Sequence, residues 1–271
     1  MDNAPTARDL HAPVGIFDGG IGSFDMVRRI RAAFPLQDII YLADRASFPY
    51  GELTEAQLLE SVTRATAGLA RLGAASVILA SNAPSVTVLD ALRPIAAVPV
   101  FGITPPIRAA LDAVGPEDEI AVAGAQVMVD SAALARYIAV TAGDDAGRVH
   151  PVRADELIGL VESGAFLTPA AIASPIRTYV AALRTAYPRV TAVTLSSTHL
   201  PWLADAVRSA APDLRLFDPA DGVVAAFAPH ATAGSGQLRC IATASTRHPL
   251  SEFQAMIDGL QLEFTPTLVE W

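Results

Sequence analysis

VILASNAPSVTVLDALR, Val77–Arg93, and VTLSSTHLPWLADAVR, Val193–Arg208, decide how this chain is read. Each carries an apolar, strand-like run into a serine and a polar residue, then into a helix-period segment containing Asp-Ala, with a one-residue offset before Asp90-Ala91 and Asp205-Ala206. Any two strand-to-helix units share some of this pattern. The sharper reading is an internal repeat: two related, pseudo-symmetric lobes. Open α/β sheets bind ligands at the carboxyl ends of their strands, so Ser81 and Ser197 are expected to face one ligand from opposite sides of an active-site cleft between the lobes.

Working outward, further apolar runs recur: VGIFD, DIIYLAD, VPVFGI, EIAVAGA, LRLFD and LRCIATA. Continuous runs mark strands covered by helices on both faces, so the fold class is α/β with parallel-rich sheets flanked by helices. Helix-period spacing predicts helices over Ser23–Phe34 and Thr54–Leu72, the second with Thr54 as cap and Gly73 as terminator. Pro94, Pro99, Pro105 and Pro106 crowd one short stretch. No single helix tolerates that density, so the chain is expected to cross between lobes near residue 100. The expected organisation is a disordered lead-in over 1–13, one lobe from 14–100 plus 213–271, and a second from 101–212.

Composition removes several function classes. The chain of 271 residues is 52% hydrophobic, yet its apolar runs are broken well short of the ~18 residues that span a bilayer. No membrane partner is expected. A formal net charge of -9 and no evident basic patch argue against nucleic acid. All 19 basic side chains are Arg, which excludes a lysine Schiff base and the usual attachment of pyridoxal phosphate. The one cysteine, Cys240, lies in an apolar run and reads as a small buried hydrophobe; it can form no internal disulfide, and a cytoplasmic location is expected.

Polar groups gather where strands end: Asp18, Asp44, Ser81 with Asn82, and Ser197 with Thr198 and His199. FDGGIGSFD, Phe17–Asp25, is a Gly-rich turn of the kind whose backbone N–H groups cradle anions. Asp25 stands where a dinucleotide fingerprint needs its third glycine, so a carboxylate fits better than a nucleotide. His199 invites a hydrolase reading, with Ser197 or Ser81 as nucleophile and Asp18 or Glu162 orienting the base. No G-x-S-x-G elbow occurs, however. The remaining histidines, at 11, 150, 230 and 248, lack metal-ligand spacing, so no metal is expected.

In order along the chain, GIFDGGIGSFDMVRRI, DIIYLADRASFPYG, VILASNAPS, LIGLVESG and TLSSTHLPWL resemble the motifs of the glutamate racemases and the wider aspartate/glutamate racemase superfamily, from about Val14 to Asp218. The resemblance implies that Asp18 and His199 assist two catalytic thiols and that Glu162 belongs to the site. It further implies that Gly19, Asp44, Pro49, Tyr50, Gly51, Asn82 and Thr198 lie around a substrate's amino and carboxylate groups. A cofactor-free enzyme, an amino-acid or other small carboxylate ligand, and a homodimer are implied with it.

The departures fall on the chemistry. Ser81 and Ser197 occupy the positions of the two thiols, Gly19 replaces a ligand-contacting Ser, and Ala83-Pro84 replaces Thr-Ala; Ala125 and Met128 stand where threonines are usual, while Ser131 remains. Three functions follow as expectations. One is a divergent racemase-family protein moving an α-proton without a cofactor, with Asp18 and His199 as acid/base groups. The others are a non-catalytic ligand sensor, and a serine-dependent lyase or hydrolase on the same scaffold.

Overall fold

The computed structural model describes residues 10–260, 262 and 264–270. Its strands are β1 Val14–Asp18, β2 Ile39–Asp44, β3 Ser76–Leu79, β4 Val100–Gly102, β5 Glu119–Gly124, β6 Val149–Arg153, β7 Val190–Leu195, β8 Arg215–Phe217, β9 Leu238–Thr243 and β10 Thr267–Leu268. The helices are α1 Phe24–Ala33, α2 Glu55–Arg71, α3 Asn82–Leu92, α4 Ile107–Asp112, α5 Gln126–Val129, α6 Ala132–Ala142, α7 Asp155–Glu162, α8 Pro169–Ala186, α9 Ala204–Ala210, α10 Pro219–Phe227 and α11 Leu250–Gly259.

The chain divides into two compact units, one from residues 1–103 and 223–271, the other from Thr104–Gly222. The first unit holds a sheet in the order β10-β9-β2-β1-β3-β4, the second a sheet in the order β6-β5-β7-β8. Every pairing is parallel. The order β2-β1-β3-β4 in one unit is repeated by β6-β5-β7-β8 in the other, strand for strand. This is the internal repeat that the two serine corners predict.

Burial explains the apolar runs. All residues of β1, β2, β3 and β5 are buried, because helices cover both faces of a central parallel strand. In the first unit Leu58, Val62 and Leu69 of α2 pack with Phe17, Leu42 and Leu79 from the sheet. In the second, Ile176, Val180 and Leu183 of α8 pack with Ala123, Val193 and Leu195. The Thr54 cap is realised as a reciprocal box: the Gln57 N–H donates to the Thr54 hydroxyl at 3.3 Å, and the Thr54 N–H donates to Gln57 Oε1 at 3.0 Å. Gly73, at φ +95°, ends the helix as expected.

Three boundaries differ from the expectation. Residues 1–9 of the expected lead-in lie outside the described residues, but Leu10 packs on the first unit's core and the His11 N–H donates to Asp38 at 2.7 Å. Residues 213–222 were expected in the first lobe; β8 instead pairs with β7, so the chain returns within α10. The first crossing falls at Ile103, close to the proline-rich stretch. Strand β6, VHPVR, has no continuous apolar run because it is an edge strand, buried fully only at Val149. An edge also tolerates Pro151, which lacks a ladder donor.

Among the described residues, no helix is long and apolar enough to cross a membrane. No group of three or more His, Cys, Asp or Glu side chains there could hold a metal ion. Cys240 is buried in β9, and burial pushes its thiol pKa up, which removes it from nucleophilic chemistry.

Candidate active site

The two serine corners are built alike. Ser81 and Ser197 are each the second residue past their strand, β3 and β7. In one corner the Ala80 N–H donates to the Phe17 carbonyl at 2.8 Å; in the other the Ser196 N–H donates to the Ala123 carbonyl at 2.8 Å. Each serine thus stands beside the point where its sheet's strand order reverses, between β1 and β3 or between β5 and β7. That is where parallel sheets leave a crevice for a ligand.

The corners differ behind the serine. In the first unit α3 starts at once with Asn82, and Ser81, its N-cap, makes no side-chain capping bond. Asn82 is 4% exposed, and both its carboxamide N and O lack a hydrogen-bond partner among the described residues. Buried polar groups are almost always satisfied; by the described residues this side chain is not. In the second unit a short 3-10 turn, Leu200–Leu203, precedes α9, and it places His199 back against Ser197.

That histidine joins two expected residues. Ser197 Oγ lies 3.3 Å from His199 Nδ1, and His199 Nε2 meets Glu162 Oε1 from the end of α7. Ionised Glu162 only accepts, which puts the imidazole proton on Nε2 and leaves Nδ1 to accept from the Ser197 hydroxyl. Ser197 and His199 are 8% and 9% exposed, and Thr198 between them is equally buried. The result is a serine–imidazole–carboxylate relay, buried at Ser197 and His199 and partly exposed at Glu162.

In the first unit Asp18 ends β1, 5% exposed, and accepts from the Gly19 N–H at 2.7 Å. The turn beyond is braced from below, where Ser23 Oγ contacts Tyr41 Oη at 2.9 Å and donates to the Gly20 carbonyl at 2.9 Å. Asp44, expected among the ligand-holding groups, spends its carboxylate inside the protein. It accepts from Tyr50 Oη at 3.0 Å, Ser61 Oγ at 3.3 Å and Thr243 Oγ1 at 2.9 Å. It anchors Tyr50, whose phenol burial and the Asp44 charge hold well above its ordinary pKa. Pro49 is half-buried and Gly51 exposed on the same turn.

Ser131, aligned with a retained motif serine, accepts from the Leu134 N–H at 3.0 Å and so caps α6. Sequence reasoning missed Arg45, the largest fully buried side chain. Its one sequence signal is its place directly after the β2 strand end, beside Asp44.

No protein-family model matches the chain. A glutamate racemase of Ralstonia nicotianae is 31% identical over 257 residues, covering 92% of this chain and 89% of that protein. This chain belongs to the glutamate racemase family. A second glutamate racemase, from Desulforudis audaxviator, is 33% identical over 214 residues, covering 79% of this chain and 77% of the other.

Solved structures agree on the fold. The glutamate racemase of Thermus thermophilus, in complex with β-chloro-D-alanine, superposes with a TM-score of 0.76 at 24% identity over 96% of each chain. That of Escherichia coli, in complex with L-glutamate and the activator UDP-MurNAc-Ala, gives 0.74 at 24% identity over 95% of this chain and 98% of the other. An aspartate racemase homologue of Pyrococcus horikoshii gives 0.55 at 17% identity, over 81% and 99%. The glutamate racemase family therefore accounts for both the sequence motifs and the doubled sheet, and it supports an amino-acid racemase-like function.

Proposed function

We propose that this family member binds a small amino carboxylate of the glutamate or aspartate type and exchanges its α-proton without a cofactor, with the proton carried on one face by His199. One observation carries the reading: the Ser197–His199–Glu162 relay. The orphaned Asn82 carboxamide supports the same class of ligand, since it can donate to a carboxylate and accept from an ammonium.

Serine changes the energetics of the family's reaction. A thiol ionises near ~8.5, whereas a hydroxyl resembles water at about 15.7. The gap of roughly 7 units amounts to about 10 kcal/mol at ~1.4 kcal/mol each. A free serine alkoxide is thus not formed to any useful extent at neutral pH. Ser197 escapes the penalty only by passing its proton to His199 Nδ1 as it takes the substrate's α-proton, while Glu162 stabilises the imidazolium. Ser81 has no imidazole partner among the described residues, so it lacks this route.

The reading expects exchange with retention at Cα for one enantiomer, and little racemisation. Incubation of each enantiomer of glutamate and aspartate with the protein in D₂O, followed by NMR and chiral chromatography, tests it. The companion variant Ser81→Cys/Ser197→Cys is expected to racemise. Absence of both binding and exchange, or racemisation by the unaltered chain at the double variant's rate, would refute the reading.

A further inference from the structure

Arg45 lies in the first unit, fully buried, directly after β2. Its Nη1 donates to the Gly19 carbonyl at 2.9 Å, and its Nη2 meets Glu252 Oε2 at 3.1 Å. Glu252 also accepts from His248 Nδ1 at 3.1 Å, so Arg45 and His248 together hold its carboxyl below the ordinary range against the cost of burial. The guanidinium carbon stands 4.4 Å from the centre of the Phe48 ring, which packs edge-on against His248 at 5.0 Å. Arg45 Nε has no hydrogen-bond partner among the described residues. Burying a charge this completely is expensive, and the planar fork is suited to fixing several acceptors at once.

The carbonyl that the fork holds belongs to the residue that orients Asp18. Gly19 gives its N–H to Asp18 Oδ1 at 2.7 Å while its carbonyl is held from below at 2.9 Å. A Cβ at position 19 would stand 3.0 Å from Phe48 Cδ2 and 3.4 Å from Phe48 Cβ. Phe48, packed against Arg45 and His248, would have to give by a few tenths of an ångström to admit a side chain at position 19. Gly19, Arg45, Phe48, His248 and Glu252 form one device under the end of β1.

We infer that Arg45 is a positioning residue that fixes the Asp18–Gly19 strand end through the Gly19 carbonyl. The inference rests on the racemase-like reading for its effect on turnover, but its structural half stands apart from that reading. Two readouts on Arg45→Met, Arg45→Lys and Glu252→Gln test it: hydrogen exchange of the Gly19 amide by NMR, and the pH profile of α-proton exchange with glutamate.

In Arg45→Met, Gly19 protection is expected to fall at least about tenfold beyond any fall at Ile16 on the same strand. Asp18 is the acid/base group expected in the first unit, so turnover should fall about tenfold or more with KM changed less than about threefold, as for a misplaced reacting group, and the pH profile should shift. Arg45→Lys should recover part of both, because an ammonium keeps the charge but lacks the planar fork. Glu252→Gln, which keeps the guanidinium, should give the mildest loss. Equal losses of protection at Gly19 and Ile16, or an unshifted pH profile in all three variants, would overturn the assignment. If the unaltered protein shows no exchange with glutamate or aspartate, the functional reading fails and the Gly19 amide alone decides the clamp. Should Arg45→Met not fold, Arg45→Lys and Glu252→Gln carry the comparison.

Discussion

His199 Nδ1 stands 3.3 Å from Ser197 Oγ, two residues back along the chain. So short a link is possible because the residues after β7 bend into a 3-10 turn rather than entering a helix directly. The same imidazole reaches Glu162 from another element, α7. A local turn and a distant helix therefore fix one tautomer between them.

Replacing the imidazole and the carboxylate of this relay should separate its parts. His199→Asn should lower α-proton exchange by about 10²–10⁴, the usual worth of a positioned acid or base. Glu162→Gln should lower it less, about tenfold, with ligand affinity nearly unchanged. Steady-state exchange rates together with calorimetric binding of glutamate check both.

Gly124→Ala should damage the same corner from β5. A Cβ there would stand 2.9 Å from the Ser196 carbonyl and collide with Met128 Cε. The backbone carbonyl cannot swing aside like a side chain, so overpacking of about 1–3 kcal/mol is expected. Urea unfolding measures that loss, and a greater fractional loss of exchange than of folded protein would trace the displacement to Ser197.

Tyr50→Phe removes one of the three donors to Asp44, leaving Ser61 and Thr243 in place. The expected cost is about 1 kcal/mol of stability. Asp44→Ala removes the shared acceptor of all three, with Ser61 keeping Ser47 and Thr243 keeping the Ala46 N–H, and should cost more than Tyr50→Phe. Thermal denaturation of the two variants checks the order.

Asp38 predicts an acid-sensitive fold in the first unit. Burial opposes its ionisation, but donors from the His11, Gln237 and Ser235 backbone and the Ser235 hydroxyl outweigh it and lower its pKa. A depressed folded value means that ionised Asp38 favours the fold. The contribution is complete above the unfolded value near ~3.9 and is lost as pH falls through the folded one. Asp38→Ala should cost about 3 kcal/mol or more at neutral pH, because several buried donors lose their acceptor. Unfolding free energy measured at successive pH values should show a smaller acid dependence in the variant.

The strands and the repeat were legible because their cause is local. A central parallel strand must be apolar on both faces, so β1, β2, β3 and β5 announce themselves as unbroken runs. β6 does not, since an edge strand is half-wet and admits Pro151. The boundary near residue 222 was misplaced for a related reason: β8 is short and partly exposed, and only its pairing with β7 assigns it to the second unit.

The candidate residues were legible as types at strand ends, but their partners were not. Ser197 and His199 are close in sequence, whereas Glu162 joins them across 37 positions. Asp44 is closed off by Ser61 and by Thr243, the latter 199 positions away. Arg45 and Glu252 are separated by 207. The amino-acid sequence by itself determined the doubled α/β pattern, the paired serines at equivalent corners and the exclusion of lysine chemistry, because each is written in adjacent residues. Only the tertiary structure decided which polar groups are spent on one another and which, like Asn82, find no partner among the described residues, because a hydrogen bond needs two atoms within about 3 Å and no spacing along a chain sets that distance.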